Sequence, residues 1–462
     1  MPVNSGEHVA AALREVVGPD HVLSDPAVLE AYAADALGLG HPPDVVVLPG
    51  TTAQIAAIAR LCDERRVPLV VRGAGTGYTG GAVPTHGGVV MSMERMNRIL
   101  EIDTENLLAV VEPNVVTGDL QRAVEKVGLF YPPDPASLER SSIGGNVAEC
   151  AGGPRAFKYG TTKRYVLALE AVLPTGEIVA TGSKAVKNVV GYDLTQLLVG
   201  SEGTLAIITK ITLRLIPKPP ARATLLALFA DIRTAVDAVS ALIQRRVVPA
   251  ALELVDADSL DAIREHLHQE VVPPETGAVL IVEADGMQAA VDEEIDRVAE
   301  ACRSAGAMRV SLAASEDDRE RLWNVRRMLS AALKATGLLK INHDVVVPRG
   351  RVPELFDVIE HLRKTHRLRI AAFGHAGDGN IHVNLMVDRQ DARARARAKE
   401  AERVLFERVV ALEGSISGEH GIGFAKARYV GIELSPAEVA LMKRVKTAFD
   451  PNGILNPGKI FP

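Results

Sequence analysis

His375 and His382 stand on either side of Gly377-Asp378-Gly379, in the stretch Gly-His-Ala-Gly-Asp-Gly-Asn-Ile-His-Val-Asn at 374–384. Glycine tolerates positive φ, so this core predicts a sharp turn. Ile381-His382-Val383-Asn384-Leu385 alternates apolar and polar residues as a strand does. The turn then folds His375 back beside a strand that carries His382 and Asn384 on one face, with Ile381, Val383 and Leu385 packed behind. Neutral imidazole is the commonest side-chain metal ligand, and two converging imidazoles leave room for a third ligand and an open position for substrate. Candidates for the third lie in Ser417-Gly418-Glu419-His420-Gly421-Ile422-Gly423. Hydrogen bonding within a tight turn is the alternative for any one of these histidines; together with a polar strand face and a glycine-flanked Glu-His pair they favour the metal.

A second such stretch is Arg72-Gly73-Ala74-Gly75-Thr76-Gly77-Tyr78-Thr79-Gly80-Gly81. Its glycines let backbone N–H groups approach a phosphate, and Arg72, Thr76 and Thr79 add donors. Gly75 to Gly80 matches G-x-G-x-x-G, with Glu94 near the distance of a ribose-binding acid, which brings a nicotinamide-binding unit into view. That fingerprint must open a helix, whereas here Ala82 to Gly88 breaks the chain and a strand follows at 89–93. The expectation is a pyrophosphate cradle without a helix. Two small-residue segments, Ser141 to Ala148 and Ala151-Gly152-Gly153 with Lys158-Tyr159-Gly160, permit close backbone approach to a flat ring.

The elements that must position these residues follow from local pattern. Residues 5–34 read as Ala-rich helix; 44–49 and 68–71 as strands, joined by a helix capped at Thr51 or Thr52 with Ile55, Ile58, Ala59 and Cys62 on one stripe. Thr175-Gly176 turns a hairpin between 166–174 and 177–180, and 207–216 is a strand ending at Pro217-Lys218-Pro219-Pro220, a domain boundary. Beyond it strands near 223–229, 250–255, 278–284 and 307–312 alternate with helices near 231–245, 257–268, 286–304 and 316–335, an α+β pattern. The last helix buries Leu322, Val325, Leu329 and Leu333, with Arg326 at the edge of the stripe, read as a solvated charge in preference to an inward carboxylate clamp. The charged helix from Asp391 to Ala411 reads as solvated.

At 462 residues the chain suggests two or three domains. With 52 basic against 58 acidic residues and no basic face, nucleic acid is not a partner. Three separated cysteines, Cys62, Cys150 and Cys302, support neither a disulfide framework nor an iron–sulfur site and suggest a reducing setting. Met1 to Val9 is polar and unlike a signal peptide.

The motifs resemble a known family. Val70 to Val83, Pro132-Pro133-Asp134-Pro135, Ser142-Ile143-Gly144-Gly145-Asn146, Gly160 and Gly200-Ser201-Glu202-Gly203-Thr204-Leu205 resemble the FAD domain of the vanillyl-alcohol oxidase/p-cresol methylhydroxylase superfamily. Gly374 to His382, Gly418 to Gly423 and the closing Asn456-Pro457-Gly458-Lys459 resemble its FAD-linked D-2-hydroxyacid dehydrogenases. The resemblance implies an α+β fold with an FAD-binding domain at 1–220, a cap or substrate domain at 221–448 and a tail at 449–462 returning to the flavin. It implies that Arg72, Gly73, Ala74, Gly75, Thr76 and Gly77 hold the pyrophosphate, and that Pro133, Ser142, Gly145, Asn146, Gly203, Ile207 and Asn456 line the FAD. It further implies a divalent metal, usually zinc, on His375, His382 and Glu419, with His420 as base and Arg326 and Asn384 at the substrate. No His or Cys lies in the pyrophosphate loop, so the FAD is expected to be non-covalent. The expected substrate is a small D-2-hydroxy acid, D-lactate ahead of glycolate. Asn342 replaces, and Lys340 misses by register, a lysine that hydroxyglutarate enzymes use, which weakens the dicarboxylate alternative. Also expected are a quinone, cytochrome or electron-transfer flavoprotein as acceptor, a cytoplasmic location compatible with the inner face of the membrane, and compatibility with a homodimer. A metal-only hydrolase, a nicotinamide dehydrogenase and a non-catalytic flavin subunit of a larger complex are the rivals.

Overall fold

The computed structural model describes residues 5–268 and 272–461; of the polar start, residues 1–4 lie outside them. The chain forms two compact units. The first comprises Met1–Gly152, Thr161–Lys218 and Glu419–Pro462, and the second Gly153–Gly160 and Pro219–Gly418. The crossing at 218/219 falls beside the expected boundary, but the return begins at Glu419 rather than at 449. Ser415 and Gly418 belong to the second unit through the Val346↔Ser415 bridge and Gly418 N–H donating to Asp344 O at 3.3 Å. Thereafter Glu202 and Thr79 of the first unit accept from the backbone of residues 422–425. Gly153–Gly160 joins the second unit because Lys158 Nζ donates to Asp285 Oδ1 at 2.6 Å and Phe157 packs where a Cβ at Gly377 would stand.

In the first unit Val45–Val47 leads through the helix Thr52–Arg65, capped by the Thr51 hydroxyl, into Leu69–Arg72. Both strands run parallel to Val89–Ser92, which lies between them in a four-stranded sheet completed by Val22–Leu23. Ile55, Ile58 and Cys62 pack on Val45, Val47, Leu69 and Met91, all fully or nearly fully buried. The expected β-α-β unit therefore delivers Arg72 to the glycine loop. Residues 5–34 are not one helix: Ser5–Val17 ends at Gly18, φ 87°, and Pro19, and only short pieces follow. Glycine in this conformation followed by proline stops a helix. A five-stranded antiparallel sheet contains Ile99–Asp103, Leu108–Val111, Ile207–Arg214, Val166–Val172 and Ile178–Gly182 in that order, with the hairpin at Gly176 as expected.

The second unit is built on a seven-stranded antiparallel sheet: Arg309–Leu312, Ala221–Phe229, Ala278–Gly286, Ala251–Asp256, Arg369–His375, Asn380–Val387 and Leu339–Val346 in spatial order. Every residue of Asn380–Val387 is buried, so the strand is covered on both faces rather than polar on an open one. The helix Ala392–Ala411 buries Ala394, Ala398, Ala401, Leu405, Phe406 and Val409. Its Arg/Glu/Lys content masked this stripe, which makes it a packed helix rather than a solvated one. Among the described residues no helix is long and apolar enough to cross a membrane.

The C-terminal segment acts as an extra strand: Leu69 N–H donates to Ile454 O and Asn456 N–H to Leu69 O, each at 2.8 Å. Leu455 is fully buried in the same core. Leu455→Ala is expected to cost about 3 kcal/mol by cavity formation, measured by urea unfolding. A loss below about 0.5 kcal/mol, the range of surface substitutions, would mean the tail is not part of that core.

Candidate active site

The glycine loop lies against the segment that the sequence offers only as small residues. Ser142 caps a helix, Ile143–Glu149, its Oγ accepting from Gly145 N–H at 3.2 Å. A Cβ at Gly73 would stand 2.4 Å from that Oγ, so glycine at 73 is what lets the loop reach the helix. Asn146 Nδ2 donates to Thr117 Oγ1 at 2.7 Å, and one turn on from Thr117, in the helix Thr117–Glu125, Gln121 Nε2 donates to Pro133 O at 2.8 Å. Asn456, φ 45°, donates through Nδ2 to Gly81 O and Glu202 O, each at 2.8 Å. Gly203, φ 64°, packs beside that amide, and Ile207 begins the strand that follows in the core. The first unit thus sets Gly73 against Ser142, and Asn456 against Gly81 and Gly203, while Pro133 and Asn146 are held through Gln121 and Thr117.

The cradle has the donors and acceptors that a pyrophosphate cofactor needs. Arg72 Nη1 and Asn456 Oδ1 are buried without protein partners. Among the described residues the N–H groups of Gly73 to Gly77 meet no protein acceptor either. Buried polar groups are almost always paired, so Arg72 Nη1 and Asn456 Oδ1 mark where a polar ligand belongs, beside a row of loop N–H groups free to meet it. Asp35 sits beside the loop, accepting from Gly80 N–H at 2.9 Å. Burial outweighs these hydrogen bonds and Arg72, and pushes its carboxyl up to about 6.

In the second unit the register puts Glu253 opposite His375, Phe373 opposite His382, His382 opposite Asp344, and Asn384 between Ala371 and Asn342. Directly paired residues share a face, so these side chains form one polar field inside the sheet. His375 Nδ1 meets Glu253 Oε1 at 2.5 Å, and the two histidine rings lie 5.4 Å apart, edge to face. His382 Nδ1 is 3.7 Å from Asp344 Oδ1. The Glu253 bond orients His375 for a metal on its other nitrogen, and Asp344 lies near His382 beyond hydrogen-bond reach, so the pair fits a divalent ion.

Arg326 corrects its expectation. The buried stripe of its helix is Arg319, Trp323, Arg326, Leu329 and Leu333, so Arg326 faces inward, 5% exposed. Its Nε is bonded to the other oxygen of Glu253, and its guanidinium covers the Phe373 ring at 4.8 Å. Glu253 was invisible in the sequence as a site residue because Ala-Leu-Glu-Leu-Val reads as a strand with one solvated position. Asn384, fully buried, spends its amide on Ala371 O, His382 O and Asn342 Nδ2, and so braces the strand under His382. Lys340 Nζ donates to Ser330 Oγ at 2.7 Å, and burial lowers its ammonium to about 7.

Glu419 and His420 belong to the first unit and open its returning segment. Gly421, φ 77°, bends the chain, and His420 Nε2 lies 3.9 Å from Glu419 Oε1. A Cβ at Gly152 would stand 2.6 Å from Glu419 Oε2, which accounts for the small residue there. Tyr78 of the glycine loop stacks on the His420 ring, centroids 5.3 Å apart.

Residues 218–460 match the family described as FAD linked oxidases, C-terminal domain, and residues 43–182 match an FAD binding domain. The chain is a member of the FAD-linked oxidase family. It is 42% identical to glycolate oxidase subunit GlcD of Bacillus subtilis over 98% of this chain and 96% of that one. It is 36% identical to D-lactate dehydrogenase of Anaerostipes hadrus over 96% and 95% of the two chains. Its fold matches p-cresol methylhydroxylase, TM-score 0.82 at 20% identity, over 99% of this chain and 98% of that one. The two-domain fold of that superfamily and an FAD-linked oxidoreductase are thereby established, and in this FAD-linked oxidase the glycine loop has the unpaired groups that FAD would fill.

Two outcomes follow from these environments. Glu253→Ala leaves the Arg326 cation buried without its partner and is expected to cost about 3–5 kcal/mol in denaturant unfolding; a loss under about 1 kcal/mol, typical of exposed pairs, would show that Arg326 reaches solvent. Lys340 has a folded pKa of about 7, below its unfolded 10.5. Folding therefore carries the full penalty of a buried ammonium below pH 7, and stability rises as pH climbs through this window. Lys340→Met should be more stable than wild type at pH 6, with the advantage shrinking toward pH 10; an advantage independent of pH would place the ammonium in water.

Proposed function

We propose that this FAD-linked oxidase oxidises a small D-2-hydroxy acid, D-lactate ahead of glycolate, to the 2-oxo acid. The observation that carries the reading is Glu253, one buried carboxylate bonded at once to Arg326 and His375. It holds a cation for a substrate carboxylate and an imidazole for a metal on the same polar face. The Arg326 Nε is occupied by Glu253, so its Nη groups are the donors for the substrate carboxylate, an arrangement suited to a planar anion. His375 and His382, with Glu419 one residue beyond Gly418, would hold a divalent metal, zinc by the donor set. The metal would supply Lewis acidity toward the hydroxyl, and FAD would supply the two-electron acceptor.

The protein's own part is proton handling and placement. His420 takes the hydroxyl proton, its ring held by stacking on Tyr78 and its carbonyl by the Thr79 hydroxyl at 3.1 Å. Asn384 supports the strand beneath His382 instead of meeting the substrate itself. Asn342 is paired with Asn384 and Lys340 with Ser330, which argues against a distal carboxylate. Relatives named as glycolate oxidase subunits favour a second reading, an FAD subunit whose turnover depends on a complex. A quinone, a cytochrome or an electron-transfer flavoprotein would reoxidise the flavin, and the chain would work in the cytoplasm or at the inner membrane face.

Anaerobic mixing of the yellow protein with D- and L-2-hydroxy acids is expected to bleach the flavin with one D-acid. Chelation should abolish bleaching, and His420→Ala should slow it by roughly 10²–10⁴-fold, the span of general base catalysis. Bleaching by the acid without turnover on artificial acceptors would favour the complex subunit. No bleaching by any acid would overturn the reading.

A further inference from the structure

The first unit contains a buried acid cluster that the proposed chemistry does not use. Glu149 ends the helix Ile143–Glu149 and is half-buried, its Oε2 enclosed and without a hydrogen-bond partner. A Cβ at Gly81, in the glycine loop, would stand 2.7 Å from Glu149 Oε1. One at Gly421, next to His420, would stand 2.3 Å from Glu149 Oε2 and 2.9 Å from Glu202 Oε1. Two carboxyls therefore flank one glycine.

Their surroundings divide them. Burial raises the Glu202 carboxyl, opposed by the N–H groups of Ile422 at 2.8 Å and Gly423 at 2.6 Å that it accepts from and by Lys426 and Lys459 nearby. Among the described residues Glu149 has no such donors and faces Glu202 and Asp35. Two close carboxyls share a proton, which settles on the one with fewer donors. Burial, followed by those two anions, raises Glu149 well above the usual carboxylate range.

A neutral carboxyl carries one O–H donor that must be spent. Glu149 and Asn456 both meet Gly81 of the glycine loop that Arg72 opens, and each of the three carries a buried unpaired atom, Glu149 Oε2, Arg72 Nη1 and Asn456 Oδ1. Asn456 is tied to this rim through Gly81 O and Glu202 O. The three atoms outline a single polar ligand with an anionic part at Arg72 and a ring edge bearing both donors and acceptors beyond it. We propose that Glu149 is a neutral acid that donates a hydrogen bond to the ring edge of the bound flavin, a cofactor-binding residue alongside Asn456. The inference rests on the FAD of the family and not on the choice of hydroxy acid.

A donor to the ring edge stabilises the electron-rich reduced flavin. Glu149→Ala is expected to lower the midpoint potential of the bound flavin and to weaken FAD rebinding to the apoprotein by about five- to tenfold, the worth of one hydrogen bond. Glu149→Gln keeps a donor and the neutral charge, and should leave the potential near that of wild type. Reduced-minus-oxidised infrared spectra should show a protonated-carboxyl stretch that shifts on reduction and disappears in Glu149→Gln. The Gln variant and the spectra serve even if the Ala variant does not fold. A rise in potential in Glu149→Gln would mean that Glu149 is an anion in the wild type, and either that rise or the absence of a carboxyl band would overturn the proposal. None of these readouts involves substrate, so they stand apart from the hydroxy-acid reading.

Discussion

The second unit depends on one buried carboxylate. Burial alone would raise Glu253, but Arg326 and His375 outweigh it and hold the acid down to about 2. Charge is tolerated in the interior here because each oxygen meets a partner, and removal of any member leaves the others unpaired. Glu253 sits opposite His375 in the ladder, so the interaction that compensates the buried cation also aims the imidazole. Orientation of the imidazole and folding are thereby the same interaction.

The first unit solves a different problem, the approach of backbone to a ligand. Gly73 meets the cap hydroxyl of Ser142, Gly80 meets the Phe424 ring and Gly423 meets the carbonyl of Thr79, each where a side chain would collide. The packing leaves buried polar atoms on Arg72, Asn456 and Glu149 without a protein partner, open to a bound molecule. An unmet buried polar group costs about 1–3 kcal/mol, so cofactor binding and stability of this unit are linked.

What was legible in the sequence was local. The turn between His375 and His382, the glycine loop, the hairpin at Gly176 and the strand and helix order after residue 220 all follow from turn chemistry and from periods of two or about 3.6 residues. These are fixed by neighbours in the chain, and they appear in the structure. The Ser5–Val17 helix stops early and Ala392–Ala411 is packed because a run of good helix formers says little about where a glycine ends it or which face is covered.

By itself the sequence determined which side chains with metal-ligating, phosphate-binding or proton-taking chemistry exist and which turns present them. Tertiary structure alone decided their partners. Glu253 is 122 residues from His375 and 73 from Arg326, and nothing in its own strand marks it as buried. Glu149 and Glu202 meet beside Gly421, where Glu202 N–H also donates to Ala148 O, and Arg326 turns inward because its helix rolls Trp323 and Leu329 onto the sheet. Burial and charge pairing depend on distance in space, and a chain's local pattern carries no record of that distance.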